Sequence, residues 1–174
     1  MTSIIKVNTI QDVGGNNLLI SNGSGSITTN NIGGQNTPAF RVGRDSEQAI
    51  SNSSHTVITF NSEQFDTDNA YDTSNGRFTV PSGKAGKYFF YGHFRFQANG
   101  IFDTAIEIHK NGSQIVHIEF GANGNYPSCQ ASYIADLAVG DYIQLTAYQT
   151  SGSTKNLTGS INYTAFGGYK LIGA

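Results

Sequence analysis

Residues 60–90 place large aromatic side chains between groups of turn-forming residues, and they read FNSEQFDTDNAYDTSNGRFTVPSGKAGKYFF. The β-branched run that leads into them puts Ile58 and Phe60 on one face, and this period of two predicts a half-buried strand. Residues 66–76 are mostly Asp, Asn, Thr and Ser, whose side chains bond their own backbone and favour turns. We therefore predict a loop here, fixed at its centre by the ring of Tyr71.

The next predicted strand carries aromatic rings on both of its faces. Its residues alternate between the two sides, with Tyr88, Phe90, Gly92, Phe94 and Phe96 on one and Phe89, Tyr91, His93, Arg95 and Gln97 on the other. A water-facing monomer surface rarely shows so many rings. The pattern indicates that both faces pack inside the domain or that one face meets another subunit.

The spacing of these residues resembles the signature of complement 1q-type globular heads, in the tumour necrosis factor (TNF)-like superfamily of jelly rolls. The matching residues, in the order of that signature, are Phe60, Asp66, Tyr71, Phe78, Gly86, Tyr88 and Phe90. Two departures are visible: seven residues rather than five precede Gly86, and Gly92 stands where the family has an aromatic residue. Further segments that resemble family strands or hairpins are residues 38–40, 110–112, 140–145 and 166–171.

This resemblance implies an all-β, antiparallel jelly-roll β-sandwich over about residues 38–174 that assembles as a homotrimer. In such trimers one sheet of each subunit packs about the threefold axis. The residues expected in the core or in the trimer contacts are Phe60, Tyr71, Phe78, Gly86, Tyr88, Phe90, Phe94, Ile143, Leu145, Phe166, Tyr169 and Leu171. Their division between core and interface stays open at the level of sequence.

The composition also favours a fold with many turns, because the 174 residues include 21 glycines. A net charge of −2 with 13% charged residues gives no basic stripe, so neither nucleic acid nor an anionic membrane is an expected partner. The single Cys129 excludes an intrachain disulfide. We find no leader-like segment and no long apolar run, so we expect synthesis in a cytoplasm without Sec-type export or membrane insertion.

Residues 1–36 differ in composition from the rest of the chain. They contain no aromatic residue and two charges, Lys6 and Asp12, whereas every Phe and Tyr lies at or beyond Phe40. We predict an extended, β-rich attachment or stalk segment at 1–36 and a globular head at 37–174. With so few apolar groups the segment cannot bury a core alone, so we expect it to gain order against other chains.

A weak repeat of 14 residues runs through this segment and aligns Ile4 with Leu18 and Ile32. Residues 3–12, SIIKVNTIQD, are similar to the start of small structural proteins of tailed phages that infect cyanobacteria and other aquatic bacteria. This second resemblance implies attachment to a virion through Ile4, Ile5, Val7 and Ile10. Phage release by lysis would also explain a binding fold made without a leader.

The residue types that carry chemistry show no pattern of a catalytic, cofactor-binding or metal site, and we expect none. Residues 66–72 hold three aspartates but fail the EF-hand pattern, and residues 83–87 lack the spacing of a phosphate-binding loop. No local feature would activate the thiol of Cys129. The four histidines of the chain are His55, His93, His109 and His117. Their spacing does not match a metal-binding motif such as His-Glu-x-x-His.

Residues 111–112, Asn-Gly, predict a hairpin turn that leaves two registers open. A two-residue loop would set Ile106 opposite His117, whereas a three-residue loop would set it opposite Ile118 and bury more apolar surface. We favour the second register. It leaves His109 and His117 out of line and argues against a site there.

These observations predict a non-enzymatic, homotrimeric component of a tailed bacteriophage, made in the host cytoplasm and exposed on the virion. Its N-terminus would anchor to other virion proteins, and its head would project as a tail fibre or spike tip that contacts a host glycan or protein. Alternatives are a capsid decoration or vertex fibre, a lectin-like cellular adhesion domain and, last, a glycan hydrolase. The ligand loops would be residues 44–54, 66–76, 121–129 and 149–157.

Overall fold

The computed structural model describes residues 7–21, 23–24, 27–29 and 36–172. The chain separates into two compact units, with the boundary between Gln35 and Asn36. Every regular element in the described ranges is a β-strand, which confirms the predicted all-β class. These ranges contain no helix long and apolar enough to cross a membrane.

The N-terminal unit contains three short antiparallel strands that pair in chain order. They are β1 (Thr9–Gln11), β2 (Asn17–Ser21) and β3 (Ile27–Thr29). The carboxylate of Asp12 closes the first turn, because it accepts hydrogen bonds from the backbone N–H groups of Gly14 at 2.8 Å and Asn16 at 2.9 Å. This is the turn chemistry that Asp provides in short loops.

Two of the predicted attachment residues lie in this unit, and both are exposed. Val7 is 51% exposed and Ile10 is 44% exposed. Ile4 and Ile5 lie outside the described residues. The two apolar side chains are therefore available to another surface, and their role in attachment stays a prediction.

The second unit, the head, is built from strands β4 to β16. Their bounds are β4 Ala39–Gly43, β5 Gln48–Ile50, β6 Thr56–Val57, β7 Ser62–Asp66, β8 Tyr71–Asp72, β9 Arg77–Thr79, β10 Gly86–Arg95, β11 Asn99–Lys110, β12 Ser113–Asn125, β13 Ser128–Leu137, β14 Tyr142–Gln149, β15 Lys155–Leu157 and β16 Ala165–Lys170. A five-stranded sheet has the order β13-β10-β16-β4-β7, and a six-stranded sheet has the order β12-β11-β14-β9-β8. Strand β6 pairs with β14, and β15 pairs with β5 in a small separate sheet.

An aromatic core fills the space between the two large sheets. Its fully buried rings are Phe40, Phe60, Phe78, Tyr88, Phe90, Phe94, Phe96 and Phe166. They pack closely, with ring centroids 4.8 Å apart for Phe40 and Phe78 and 6.1 Å apart for Phe90 and Phe166. Each buried ring removes about 150–250 Å² from water, so this cluster dominates the stability of the head.

Gly92 shows why the sequence departs from the family pattern at this position. A Cβ atom placed there would lie 2.7 Å from Cδ2 of Leu145 and 3.4 Å from Cδ2 of Phe166. Those two side chains occupy the volume that a larger residue at position 92 would need. The missing aromatic residue is therefore compensated by close packing and leaves no gap in the core.

The β11–β12 hairpin has the register that buries more apolar surface. Ile106 pairs with Ile118, as favoured from the sequence. The predicted three-residue loop is wrong, however, because Lys110 pairs with Ser113 and leaves two residues in the turn. A β-bulge after Ile108 accommodates the extra residue and reconciles the short turn with this register.

Candidate functional site: the outer face of the five-stranded sheet

Most of the predicted packing residues lie inside the head itself. Gly86 and Leu171 are partly buried, and Tyr169 is 36% exposed. The other nine are buried between the large sheets, each with at most 7% of its surface exposed: Phe60, Tyr71, Phe78, Tyr88, Phe90, Phe94, Ile143, Leu145 and Phe166. These nine residues hold one copy of the head together, and Tyr169 is the predicted residue that is most available to a partner.

A second set of apolar side chains lines the outer surface of the five-stranded sheet. We call it the aromatic face and define it by Phe65, Phe89, Tyr91, Ile134 and Tyr169. Phe89 pairs with both Ile134 and Tyr169, so these three side chains form a row across three strands. Phe65, Ile134 and Tyr169 are 47%, 54% and 36% exposed. Contiguous exposed apolar patches of this kind are typical of interaction surfaces.

Two adjacent glycines in β16 let aromatic rings approach its backbone from both sides. A Cβ atom at Gly167 would lie 2.6 Å from the hydroxyl oxygen of Tyr91 on the aromatic face. A Cβ atom at Gly168 would lie 2.6 Å from Cδ1 of Phe90 in the core. Because Gly167 and Gly168 have no side chains, the rings of Tyr91 and Phe90 can pack directly against the backbone of β16.

A groove of about 350 Å³ opens at one end of the same sheet, lined in part by His93, Asn162 and Tyr163. The guanidinium of Arg95 lies 3.4 Å from the ring centroid of Tyr163 and 5.0 Å from that of Tyr126. Burial lowers the pKa of His93, which favours its neutral ring. The groove thus offers stacking and hydrogen-bonding groups to a small polar ligand.

The outer side of the six-stranded sheet carries a separate polar cluster around Glu107, which is fully buried. Its carboxylate accepts hydrogen bonds from His117 Nδ1 at 2.8 Å, His109 Nε2 at 2.9 Å and His55 Nδ1 at 3.0 Å. Burial alone would raise the pKa of Glu107, but the hydrogen bonds from the three imidazoles outweigh burial and hold the pKa below its ordinary value. We call these four residues the histidine cluster.

The prediction that the hairpin register keeps the histidines apart is wrong. The observed register sets Glu107 directly opposite His117, and His109 lies two residues along the same face of β11. Both rings therefore reach the same carboxylate. The favoured register itself contains the signal, because pairing Ile106 with Ile118 also sets Glu107 opposite His117.

The other candidate groups take structural roles. Burial raises the pKa of the Cys129 thiol to about 11, so the thiolate is disfavoured. In the predicted loop, Asp66 accepts a hydrogen bond from the backbone N–H of Tyr71 at 2.7 Å, and Asp72 accepts one from that of Ser74 at 2.8 Å. Within the described ranges, no group of three or more His, Cys, Asp or Glu residues is arranged to hold a metal ion.

Comparisons with known proteins agree with this architecture. A family model described as the C1q domain matches residues 39–171. The globular domain of zebrafish complement 1qA is 19% identical with a TM-score of 0.52, over 78% of this chain and 98% of that chain. The crystal structure of murine APRIL at pH 8.0 has 16% sequence identity and a TM-score of 0.57, over 76% of this chain and 98% of that chain.

Eiger TNF from S. frugiperda is 10% identical with a TM-score of 0.54, over 76% of this chain and 91% of that chain. No curated protein matches the sequence. At these identities the similarity to solved structures establishes the fold alone, and the family model establishes the wider relationship.

Proposed function

Because this chain belongs to the C1q domain family, we propose that it is a non-enzymatic binding and structural module that works as a homotrimer. The observation that supports this proposal is the aromatic face. Phe89, Ile134 and Tyr169 form a row of apolar side chains that the monomer leaves partly open to water. Two further copies of the same head cover that row if the faces meet about a threefold axis.

The chemistry of the aromatic face fits another copy of itself better than it fits a charged partner. Of its charged neighbours, Lys87 and Asp136 lie opposite each other at one end of the sheet, and Arg41 lies between Gly167 and Phe65 towards the β7 edge. Its centre consists of Phe89, Tyr91 and Tyr169, with ring centroids 6.3 Å apart for Phe89 and Tyr91. Rings depleted of charge at the centre and charged groups at the rim are typical of stable subunit interfaces.

The oligomeric state of the full chain tests the proposal. We expect a trimer in sedimentation analysis at low micromolar concentration, and monomers for a variant that combines Ile134→Glu and Tyr169→Glu, because charges cannot be buried unpaired in an apolar interface. Val139→Glu is the matched control, since Val139 is 52% exposed outside the aromatic face. A monomeric wild type, or a double variant that remains trimeric, would contradict the proposal.

We further propose that the trimer is a component of a tailed phage particle, attached through its N-terminal unit with the head projecting as a tail fibre or spike tip. This proposal is supported by the aromatic-free composition of residues 1–36 and by the exposed Val7 and Ile10. The resemblance of residues 3–12 to phage structural proteins supports the virion as the proposed location. Contact with the host would then fall to the exposed loops and to the groove beside Tyr163.

Immunogold electron microscopy of purified particles, with antibodies to the head, tests this location. We expect label at the tail tip. Label on the capsid would contradict the tail-fibre assignment and favour a head decoration or vertex fibre. Absence of the chain from purified particles would remove the virion proposal and favour a cellular adhesion role, whereas it would leave the trimer proposal untouched.

A further inference from the structure

The histidine cluster joins a surface loop to the six-stranded sheet. Glu107 and His109 lie in β11, and His117 lies in β12, whereas His55 lies at the end of the loop of residues 51–55. The ring of His55 also stacks on Tyr148 of β14, with centroids 4.7 Å apart. We propose that the cluster is a pH-sensitive clasp that holds His55 and its loop on the sheet near neutral pH and releases them in mildly acidic solution.

The charge count of the cluster supplies the pH dependence. Imidazole is the side chain whose charge ordinarily changes between about pH 5 and pH 8. When the three rings are neutral, each donates one N–H to the single carboxylate. One imidazolium neutralises Glu107, but a second and a third leave uncompensated positive charge within a few ångströms, which is costly in a buried setting.

His55 is the ring that leaves when positive charge accumulates. Its side chain is 54% exposed, compared with 18% for His109 and 35% for His117. The last two are also fixed by the pairing of β11 with β12, whereas His55 lies in the loop before β6. Release of His55 therefore disrupts fewer interactions of the sheet than release of His109 or His117 would, and it exposes the His55 ring fully to water.

The neighbouring strands add few charges that would change this count. On the same face, β11 carries the exposed Asp103, β12 carries the exposed Glu119, and β14 carries Tyr142 and Tyr148. Arg77 of β9 lies farther along and places its guanidinium 4.2 Å from the ring centroid of Tyr142. Within this set, the groups that contact Glu107 are the three histidines, so their protonation decides the charge of the cluster.

Thr146 provides a replacement donor for Glu107 after His55 leaves. It lies directly opposite Glu107 in the β11–β14 pairing, and its buried hydroxyl has no hydrogen-bond partner. The loop keeps two other tethers, from the backbone N–H of Ser53 to the carbonyl of Gln149 at 2.8 Å and from the backbone N–H of Gly152 to the side chain of Asn52 at 2.6 Å. Neither tether involves an ionisable group, so the contact between His55 and Glu107 is the pH-sensitive one of the three in this proposal.

Hydrogen exchange of the full chain, followed by mass spectrometry and corrected for the intrinsic effect of pH, tests the clasp. We expect the protection of a peptide that spans residues 51–57 to fall by about tenfold between about pH 7.5 and pH 5. His55→Gln keeps a donor but does not titrate, so this difference should disappear. His93→Gln is the matched control, since His93 belongs to the other sheet, and it should behave as the wild type does.

Equal protection of the wild type at both pH values would overturn the proposal, as would an unchanged pH effect in His55→Gln. A parallel series with added Zn²⁺ and with a chelator separates the clasp from a metal site. Protection that Zn²⁺ restores at the acidic pH in the wild type, but not in Glu107→Gln, would overturn the clasp in favour of metal binding. Indifference to Zn²⁺ supports the clasp.

Discussion

Phe90 shows how one residue can stabilise the head without contributing directly to its outer surface. Its ring is fully buried and packs on Phe78 and Phe166, with centroids 5.5 and 6.1 Å away. We expect Phe90→Ala to lower the free energy of unfolding by about 3–5 kcal/mol, because it removes a large buried ring and leaves a cavity. Urea denaturation at a fixed protein concentration measures the loss.

The neighbouring Phe89 is the control for this substitution, because it has the same side chain in the same strand but lies on the aromatic face. Phe89→Ala should cost less stability within one head and should weaken association more. If Phe90→Ala proved no more destabilising than Phe89→Ala, the assignment of Phe90 to the core would be wrong.

At the scale of elements, Asp141 ties the turn between β13 and β14 to the β11–β12 hairpin. Its carboxylate accepts hydrogen bonds from the side chain of Asn111 at 2.7 Å and from the backbone N–H of Ala138 at 2.8 Å, and it pairs with Lys110 at 2.8 Å. These interactions, led by the hydrogen bond from Lys110, lower the pKa of Asp141 to about 2 from a model-peptide value of 3.8. The two turns therefore form one connected corner of the sandwich.

The lowered pKa of Asp141 fixes the sign of a pH effect. Its contribution to stability is complete above the unfolded-state pKa and is lost as the pH falls through the folded-state pKa. We expect Asp141→Asn to be less stable than the wild type at neutral pH, and this difference to shrink from about pH 4 to about pH 2. Thermal unfolding across that range measures it.

Glu63→Gln is the matched control, because it removes one exposed carboxylate from the edge strand β7. It should show no comparable change in stability between neutral and acidic pH. A difference between Asp141→Asn and the wild type that persists unchanged to the lowest pH would mean that the carboxylate does not act through its charge.

Local sequence patterns predicted the individual strands well, but they did not predict which strands that are distant in sequence pair with each other. The alternation of rings in β10 predicted that Phe90 and Phe89 lie on opposite faces, because a strand turns successive side chains to opposite sides. The structure shows that the face of Phe90 is the buried one. Strand β5 pairs with β15, which lies about a hundred residues later in the chain. The local alternation of apolar residues carries no information about such a pairing. The contact between His55 and Glu107 was not predicted for the same reason, since His55 reaches Glu107 from a distant loop.

The aromatic face was partly predictable. The sequence identified Tyr169 as a packing residue but could not separate core from interface, because that requires the register of β16 against β10. The structure pairs Phe89 with Tyr169 and so places both on the outer side. Contributions from Phe65 and Ile134 were not predicted. Phe65 is a single apolar residue in an otherwise polar strand, and Ile134 is the single apolar residue on the polar face of β13.

At the scale of the whole molecule, we expect the two units to have separable tasks. The core lies within residues 36–172, and the aromatic face belongs to the same unit. The N-terminal unit presents the exposed Ile10 in β1 and the exposed Val7 just before that strand. Assembly is therefore expected to depend on the head, and attachment on the N-terminal unit.

A chain that begins at Asn36 tests this division. We expect it to fold and to sediment as a trimer at low micromolar concentration, because it retains the aromatic core and the whole aromatic face. We also expect it to fail to join phage particles in a complementation experiment in which the full chain is incorporated.

The full chain carrying Val7→Asp and Ile10→Asp is the companion variant, since it keeps both units but makes these two apolar side chains of the N-terminal unit charged. A truncated chain that is monomeric would move the assembly determinant to the N-terminal unit, and one that still enters particles would move the attachment determinant to the head.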